Sequence, residues 1–331
     1  MEYTRFGSTG LQVSRLCLGT MTFGYQCDEP TSAAIMDRAY EAGITFFDTA
    51  DAYPLGGPAG ASGTTEDYVG RWMQRAGRDN IILATKCFAP TGPNRWDQGN
   101  SRKNIMRAVE ASLRRLQTDY IDLYQVHFWD ANTSIDETVT ALHDLVQSGK
   151  VRYVGCSNFT AYQLARSIGR AEALRLTKFV SVQPRYNLLY REIERELLPG
   201  CQYDNIAVIP YNPIAGGMLS GKHVFESGPT EGTRFTLGNA SGRYQNRYWH
   251  QPLFEMVEAL QSIASDAGMS LVQLAVAWVL ANPAITAPII GASKPDQLAD
   301  SIAAAAAPLD PAVKSHLDQL TAIYRRVENE R

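Results

Sequence analysis

Four side chains able to carry or move a proton stand at corresponding places in the chain. Ile44-Thr-Phe-Phe47 is a short apolar run that reads as a buried strand; it ends at Asp48, and Tyr53 follows a few residues later. Ile81-Ile-Leu-Ala-Thr85 ends in Lys86, and Ile121-Asp-Leu-Tyr-Gln-Val126 ends in His127. The phenol of a tyrosine, with an ordinary pKa near ~10, becomes a better donor at neutral pH when an ammonium lies beside it, and a carboxylate keeps that ammonium charged. A histidine adds a hydrogen bond to a polarised oxygen. The set suits protonation of an alkoxide as it forms, which is carbonyl reduction with hydride from a nicotinamide. Singly, each residue has a plainer reading: Asp48 as a helix cap, Lys86 as a surface charge, His127 as a satisfied core histidine. Together, on parallel neighbouring strands, they converge on one rim.

The elements that would position them alternate along the chain. Tyr3-Thr-Arg-Phe6 and Leu11-Gln-Val-Ser14 flank Gly7-Ser-Thr-Gly10 as a hairpin, and Leu16-Cys-Leu-Gly-Thr20 reads as the first buried strand. Strand ends then fall at Gly19, Asp48, Lys86, His127, Ser157, Gln183, Tyr211 and Gly291, with helical periodicity between them. Thr31 or Ser32 is expected to cap the first helix. Others are expected from Thr64 through Trp72, from Ser101 to Leu116, from Ile135 to Ser148, after Thr160, from Arg191, over Leu271 to Leu280, after Lys294, and from Ala312 to Val327. This repeat is the arithmetic of a closed α/β (β/α)8 TIM barrel with an N-terminal β-hairpin and a C-terminal helical extension. It forms one domain over 1–331, with its active site at the C-terminal strand ends. The Ala303–Ala307 run reads as a helix face. Loop 54–63 hangs over the rim, as a substrate-side loop or a spacer, and 222–250 is an insertion that either covers the rim or makes oligomer contacts.

Composition narrows the alternatives. The 331 residues are 45% hydrophobic with a net charge of −3, which argues against nucleic-acid or membrane-surface partners. Five scattered cysteines without a Cys-x-x-Cys pair suit reduced thiols. Met1-Glu-Tyr-Thr-Arg5 lacks the apolar core of a signal peptide, so the expected location is cytoplasmic. No Gly-x-Gly occurs, which removes the Rossmann fingerprint. Gly216 to Lys222 fits Gly-x4-Gly-Lys, but His223 stands where a P-loop needs Ser or Thr; the segment reads as a phosphate site and not an NTPase. No metal-ligand spacing is present.

Asp48, Tyr53, Lys86 and His127, in that order and context, resemble the catalytic tetrad of the aldo-keto reductase superfamily. The likeness extends through Gly19-Thr20-Met21, Gly155-Cys-Ser-Asn158, Gln183, Pro210-Tyr-Asn-Pro213, Gly217-Met-Leu-Ser-Gly-Lys222 and Ile290-Gly-Ala-Ser-Lys-Pro-Asp-Gln297. It looks nearest the bacterial-type members and the potassium-channel β subunits. The resemblance implies Tyr53 as general acid, tuned by Lys86 and Asp48, and His127 orienting the carbonyl. It also implies Ser157, Asn158 and Gln183 on the carboxamide, Tyr211 stacked on the nicotinamide, and a pyrophosphate belt through Asn212, Pro213, Ile214, Gly217, Leu219, Gly221 and Lys222. Gly291, Ser293, Lys294, Gln297 and Asp300 would meet the adenosine end, with Arg234 as a clasp and NADPH preferred to NADH. Gln297 stands where many members carry arginine, and Ser301 where asparagine is common. Phe88, Trp96, Trp129 and Trp249 suggest an aromatic substrate pocket around Tyr53 and His127. The leading reading is an NADPH-dependent reductase of small aldehydes or ketones; the alternatives are a nucleotide-sensing regulatory subunit and a barrel enzyme sharing only rim polarity. A homo-oligomer is compatible with any of them.

Overall fold

A computed structural model of the chain describes residues 1–325. The hairpin pairs β1 (Tyr3–Arg5) with β2 (Gln12–Ser14). Eight parallel strands follow: β3 (Cys17–Gly19), β4 (Phe46–Asp48), β5 (Ile82–Cys87), β6 (Ile121–Val126), β7 (Val151–Ser157), β8 (Ser181–Gln183), β9 (Ala207–Val208) and β10 (Ile289–Ile290). They neighbour one another in chain order, with β10 beside β3. Backbone bonds from Thr286 N–H to Val208 O (2.9 Å) and from Ile289 N–H to Pro210 O (2.8 Å) join the last two, so the sheet is a closed (β/α)8 barrel.

Eight helices accompany the strands: α1 (Glu29–Glu41), α2 (Thr64–Ala76), α3 (Arg102–Leu116), α4 (Ile135–Gln147), α5 (Ala161–Ala173), α6 (Leu197–Asp204), and, past the insertion helix α7 (Ser241–Tyr248), α8 (Gln251–Asp266) and α9 (Leu271–Leu280). After the eighth strand come α10 (Ala299–Ala304) and α11 (Pro311–Leu320). Several boundaries follow directly from capping chemistry. Ser101, Thr160 and Ser270 each accept an N–H of the first turn of α3, α5 and α9. The cap of α1 is Asp28, not Thr31 or Ser32: its carboxylate accepts from Thr31 N–H, and Pro30 occupies the first turn, where a missing N–H costs nothing. No α-helix begins at Arg191. Its guanidinium is buried, bonded to both carboxylate oxygens of Glu194 and to Thr321, so the chain makes a short 3-10 turn there before α6. The alanine run outlasts its helix, since α10 ends at Ala304; the last helix stops at Leu320 and gives way to a 3-10 turn at Ala322–Arg325, short of the expected Val327, which lies outside the described residues.

Strand parity places the chemistry. Cys17, Phe46, Ala84, Leu123, Ala207 and Ala287 form the barrel's interior core, whereas Leu18, Phe47, Leu83 and Tyr124 pack outward against the helices. Two residues above Phe46, Ala84, Leu123 and Ser181 on that same inner face come Asp48, Lys86, Gln125 and Gln183. The hairpin supplies the floor. Phe6 and Val13 join the interior core, and Phe6 meets Phe46 edge-on at 5.7 Å. Gly7 makes this possible: at φ +56° a side chain would meet Asn205 O at 2.6 Å, so only glycine lets the turn press on the foot of β9. Truncating Phe6 to alanine is expected to cost about 3–5 kcal/mol of unfolding free energy in urea titrations. A loss below about 1 kcal/mol would mean that the hairpin does not seal the barrel.

Candidate active site

Lys86 is wholly buried and points up the barrel axis, where its Nζ donates to Asp48 Oδ2 (2.6 Å) and to Thr49 O (2.7 Å). The other oxygen of Asp48 accepts from Gln183 Nε2 (2.8 Å) and Gln125 Nε2 (3.3 Å). Asp48 is thus held by three strands besides its own. Above this layer the Tyr53 ring, 8% exposed, lies with its centroid 5.1 Å from Lys86 Nζ, and His127 meets it edge-on at 5.9 Å. His127 stacks on Phe128 at 5.0 Å, and its Nδ1 is buried without a partner. The four residues therefore meet at one place, as their spacing implies.

The electrostatics follow from burial. Burial disfavours the Lys86 ammonium, yet Asp48 and Tyr53 together outweigh it and hold its pKa above the ordinary lysine value. Burial pushes the Tyr53 phenol up; Lys86 pulls it down and Asp48 pushes back, leaving it above an ordinary tyrosine. This net direction is opposite to the one the lysine alone would give. Burial, then the positive charges of Lys86 and Arg243, drives His127 well below the usual histidine range, so the imidazole is neutral at neutral pH.

A cavity of about 690 Å³ runs from Tyr53 and His127 across the rim to Ser293, Gln297 and Asp300. The profile of the aldo/keto reductase family matches residues 15–322. The chain belongs to that family. It is 41% identical to "Uncharacterized oxidoreductase YrpG" of Bacillus subtilis, over 97% of this chain and 96% of the relative. It is 34% identical to "Protein tas" of Escherichia coli, over 98% and 99%. The "Probable voltage-gated potassium channel subunit beta" of rice is 35% identical over 92% and 91%. These likenesses support an oxidoreductase.

Within this aldo/keto reductase the cavity wall includes, of the residues the motifs suggest for a nucleotide, Gly19, Met21, Asp48, Ser157, Asn158, Gln183, Tyr211, Asn212, Pro213, Ile214, Gly217, Lys222, Arg234, Gly291, Ser293, Gln297 and Asp300. Thr20, Leu219, Gly221 and Lys294 stand behind it or outside it. Thr20 is buried, its hydroxyl donating to Asp48 O, and Gly221 lies against the Gln261 side chain. The four expected pocket aromatics are not on the wall. Trp96 is half exposed beneath Lys103, Trp129 packs on Phe159, and Trp249 sits in a cluster with His223, Phe235 and Phe254. Phe88 reaches the cavity only through Phe128, 5.5 Å away. Each is held by packing partners of its own, a placement that loop sequence does not encode.

The wall instead carries Leu55, Phe128, His223, Arg243, Tyr244 and Arg247. The last three come from α7, which the sequence shows only as part of an insertion. Gln125 is a further residue that sequence reading passed over, although it stands two residues before His127 at inward parity on β6. Replacing Asp48 by asparagine leaves Lys86 buried without its counter-charge, and urea titration is expected to show a loss of about 3–5 kcal/mol. Asp48→Asn combined with Lys86→Met should cost much less than the sum of the single changes, and additive losses would show that the two are not one unit.

Proposed function

We propose that the chain is an NADPH-dependent reductase of aldehydes and ketones, RCHO + NADPH + H⁺ → RCH₂OH + NADP⁺, with Tyr53 as general acid. The observation that carries this reading is a phenol, a neutral imidazole and a buried ammonium–carboxylate pair at one end of a nucleotide-sized cavity. Groups along the cavity fit a phosphate-bearing nucleotide. Gly216 and Gly217 adopt φ of 70° and 104°, and a side chain on Gly216 would strike the Tyr244 ring at 2.7 Å, so the backbone here lies bare against the cavity. Asn212 Nδ2 and Arg234 Nη1 are buried without partners, and Lys222 and Arg234 make no ion pair among the described residues.

Bound there, the nicotinamide supplies the hydride. His127, uncharged, directs the carbonyl oxygen toward Tyr53, whose hydroxyl gives up its proton as negative charge builds on that oxygen. Lys86 stabilises the phenolate left behind, and Asp48 with Gln125 and Gln183 fixes the ammonium in place. Ser157, Asn158 and Gln183 would hold the carboxamide. Their groups are already engaged, Asn158 Oδ1 accepting from Tyr211 Oη (2.8 Å) and Gln183 donating to Asp48, so that task requires an exchange of partners. One domain over 1–331 and a cytoplasmic address complete the reading, the latter supported by five unpaired, buried cysteines.

Tyr53→Phe is expected to keep the fold and NADPH affinity and to lower turnover of 4-nitrobenzaldehyde about 10²–10⁴-fold, followed as NADPH absorbance. Turnover within twofold of wild type would remove Tyr53 from the proton-donor role, and NADPH binding with no turnover by the wild type would favour a nucleotide-sensing subunit. A raised Tyr53 pKa keeps the donor protonated as pH rises through neutrality, and a lowered His127 pKa keeps the imidazole neutral as pH falls. The profile of kcat/KM should therefore be free of an inflection at the ordinary histidine value near ~6.5; one there would show an imidazolium of normal pKa.

Cofactor choice rests on Lys222, Arg234 and Ser293, because Lys294 lies off the wall. A charge-assisted contact of roughly 1.5–3 kcal/mol corresponds to a preference for NADPH over NADH of about one to two orders of magnitude in kcat/KM. Arg234→Ala should erode that preference through the KM for NADPH; equal use of both cofactors by the wild type would sink the assignment.

A further inference from the structure

The helix α7 lies across the rim with Arg243 and Arg247 one turn apart, at the i, i+4 spacing that places side chains on one face. Both line the cavity, and so does Tyr244 between them. Neither arginine has a hydrogen-bond or ion-pair partner among the described residues, whereas Arg71, Arg75 and Arg170 on other helices each hold a carboxylate. Among the described residues, the only carboxylates on the cavity wall are Asp48, paired with Lys86, and Asp300, in the stretch with Ser293 and Gln297. The helix α7 thus gives this wall two cationic groups; Arg247 also borders a second cavity with Glu192 and Glu196, yet pairs with neither.

Both guanidiniums have neighbours at the Tyr53 end of the cavity. Arg243 is close enough to His127 for its charge to be felt on the imidazole, and Arg247 acts on the Tyr211 phenol in the same way. The same wall carries the apolar side chains of Leu55, Ala52 and Phe128. A ligand matching these groups has a carbonyl at Tyr53, a short carbon body, and an anion at the arginines of α7. Arginine suits that anion because its planar fork pairs two N–H groups with two carboxylate oxygens.

We propose that Arg243 and Arg247 form an anion subsite of the substrate pocket, so that the carbonyl compounds this enzyme takes best carry a carboxylate. The inference rests on the reading of the Tyr53 end as the carbonyl site. It makes α7 a device of substrate choice, with the arginines positioning the substrate and taking no part in proton or hydride transfer.

The test compares 4-carboxybenzaldehyde with its neutral methyl ester, methyl 4-formylbenzoate, both followed as NADPH consumption. The ester is the more activated aldehyde, so chemistry alone favours it. The subsite predicts the opposite order, with kcat/KM for the acid at least about tenfold higher. In Arg243→Gln with Arg247→Gln that ratio should fall about tenfold or more through the KM of the acid, while Arg243→Lys with Arg247→Lys should retain part of it. Raising salt should lower the wild-type ratio and leave the glutamine variant's ratio flat. NADPH affinity, read from its fluorescence, should be the same in all three proteins. Turnover of the ester without preference for the acid, or a preference the glutamine variant keeps, overturns the subsite while leaving the reductase reading intact. Weakened NADPH binding with an unchanged ratio assigns the arginines to the cofactor and also overturns it. Absence of turnover with both aldehydes overturns the reductase reading and the subsite together.

Discussion

The ammonium of Lys86 has no access to water, and everything above the barrel core depends on how that charge is accommodated. Burying it alone would cost several kcal/mol, and the penalty is offset only because Asp48 lies 2.6 Å away and the Thr49 carbonyl accepts a second hydrogen bond. Asp48 in turn would be over-concentrated charge if its second oxygen were bare, and the two glutamine amides fill that place. Four strands are thereby stapled across the barrel axis by polar contacts at the level where apolar packing stops. The closed sheet is what makes the arrangement affordable, since parity and register bring the groups together before any loop is ordered.

Strand ends and inward parity are written in local sequence, which is why the tetrad and the barrel were legible. A short apolar run that stops at a polar residue marks both the strand and the rim. Leu271–Leu280 was readable as a helix because Ser270 caps it and its residues are apolar nearly throughout. The helix α8 carries equally clear signals, with Pro252 in its first turn and Phe254, Val257, Leu260 and Ala264 at helical spacing, yet it falls between the 222–250 insertion and Leu271, a stretch given no element. Arg191 shows the opposite case. Helix-friendly sequence around it gives way because long-range bonds to Thr321 and the Asp318 carbonyl and a cation–π contact with Trp278 hold the side chain inside.

The wall of the cavity was legible only in part. Motif residues such as Ser157, Asn158, Gln183 and Lys222 sit on strand ends or on a glycine-rich turn whose backbone is fixed by sequence nearby. The aromatics Phe88, Trp96, Trp129 and Trp249 sit on loops, and what they face depends on distant partners. Trp249 is instructive: it lies one residue beyond α7, yet it turns away from the rim to pack on Phe235 and Phe254. In doing so it anchors the helix whose arginines face the cavity. An aromatic expected to touch substrate thus acts as the foundation of the groups that line the pocket.

All five cysteines are buried, and burial raises every thiol above its ordinary value, Cys87 and Cys201 to about 12. Cys17 lies in the barrel interior below the Asp48 layer, and Cys87 follows Lys86 directly. A thiol kept protonated and away from solvent is neither a nucleophile nor a ready target for peroxide. Sulfur therefore gives oxidants no handle on the machinery around Lys86, and an electrophile in the cavity meets no thiolate. The close packing that holds the charges of the barrel in place thus also shields its thiols.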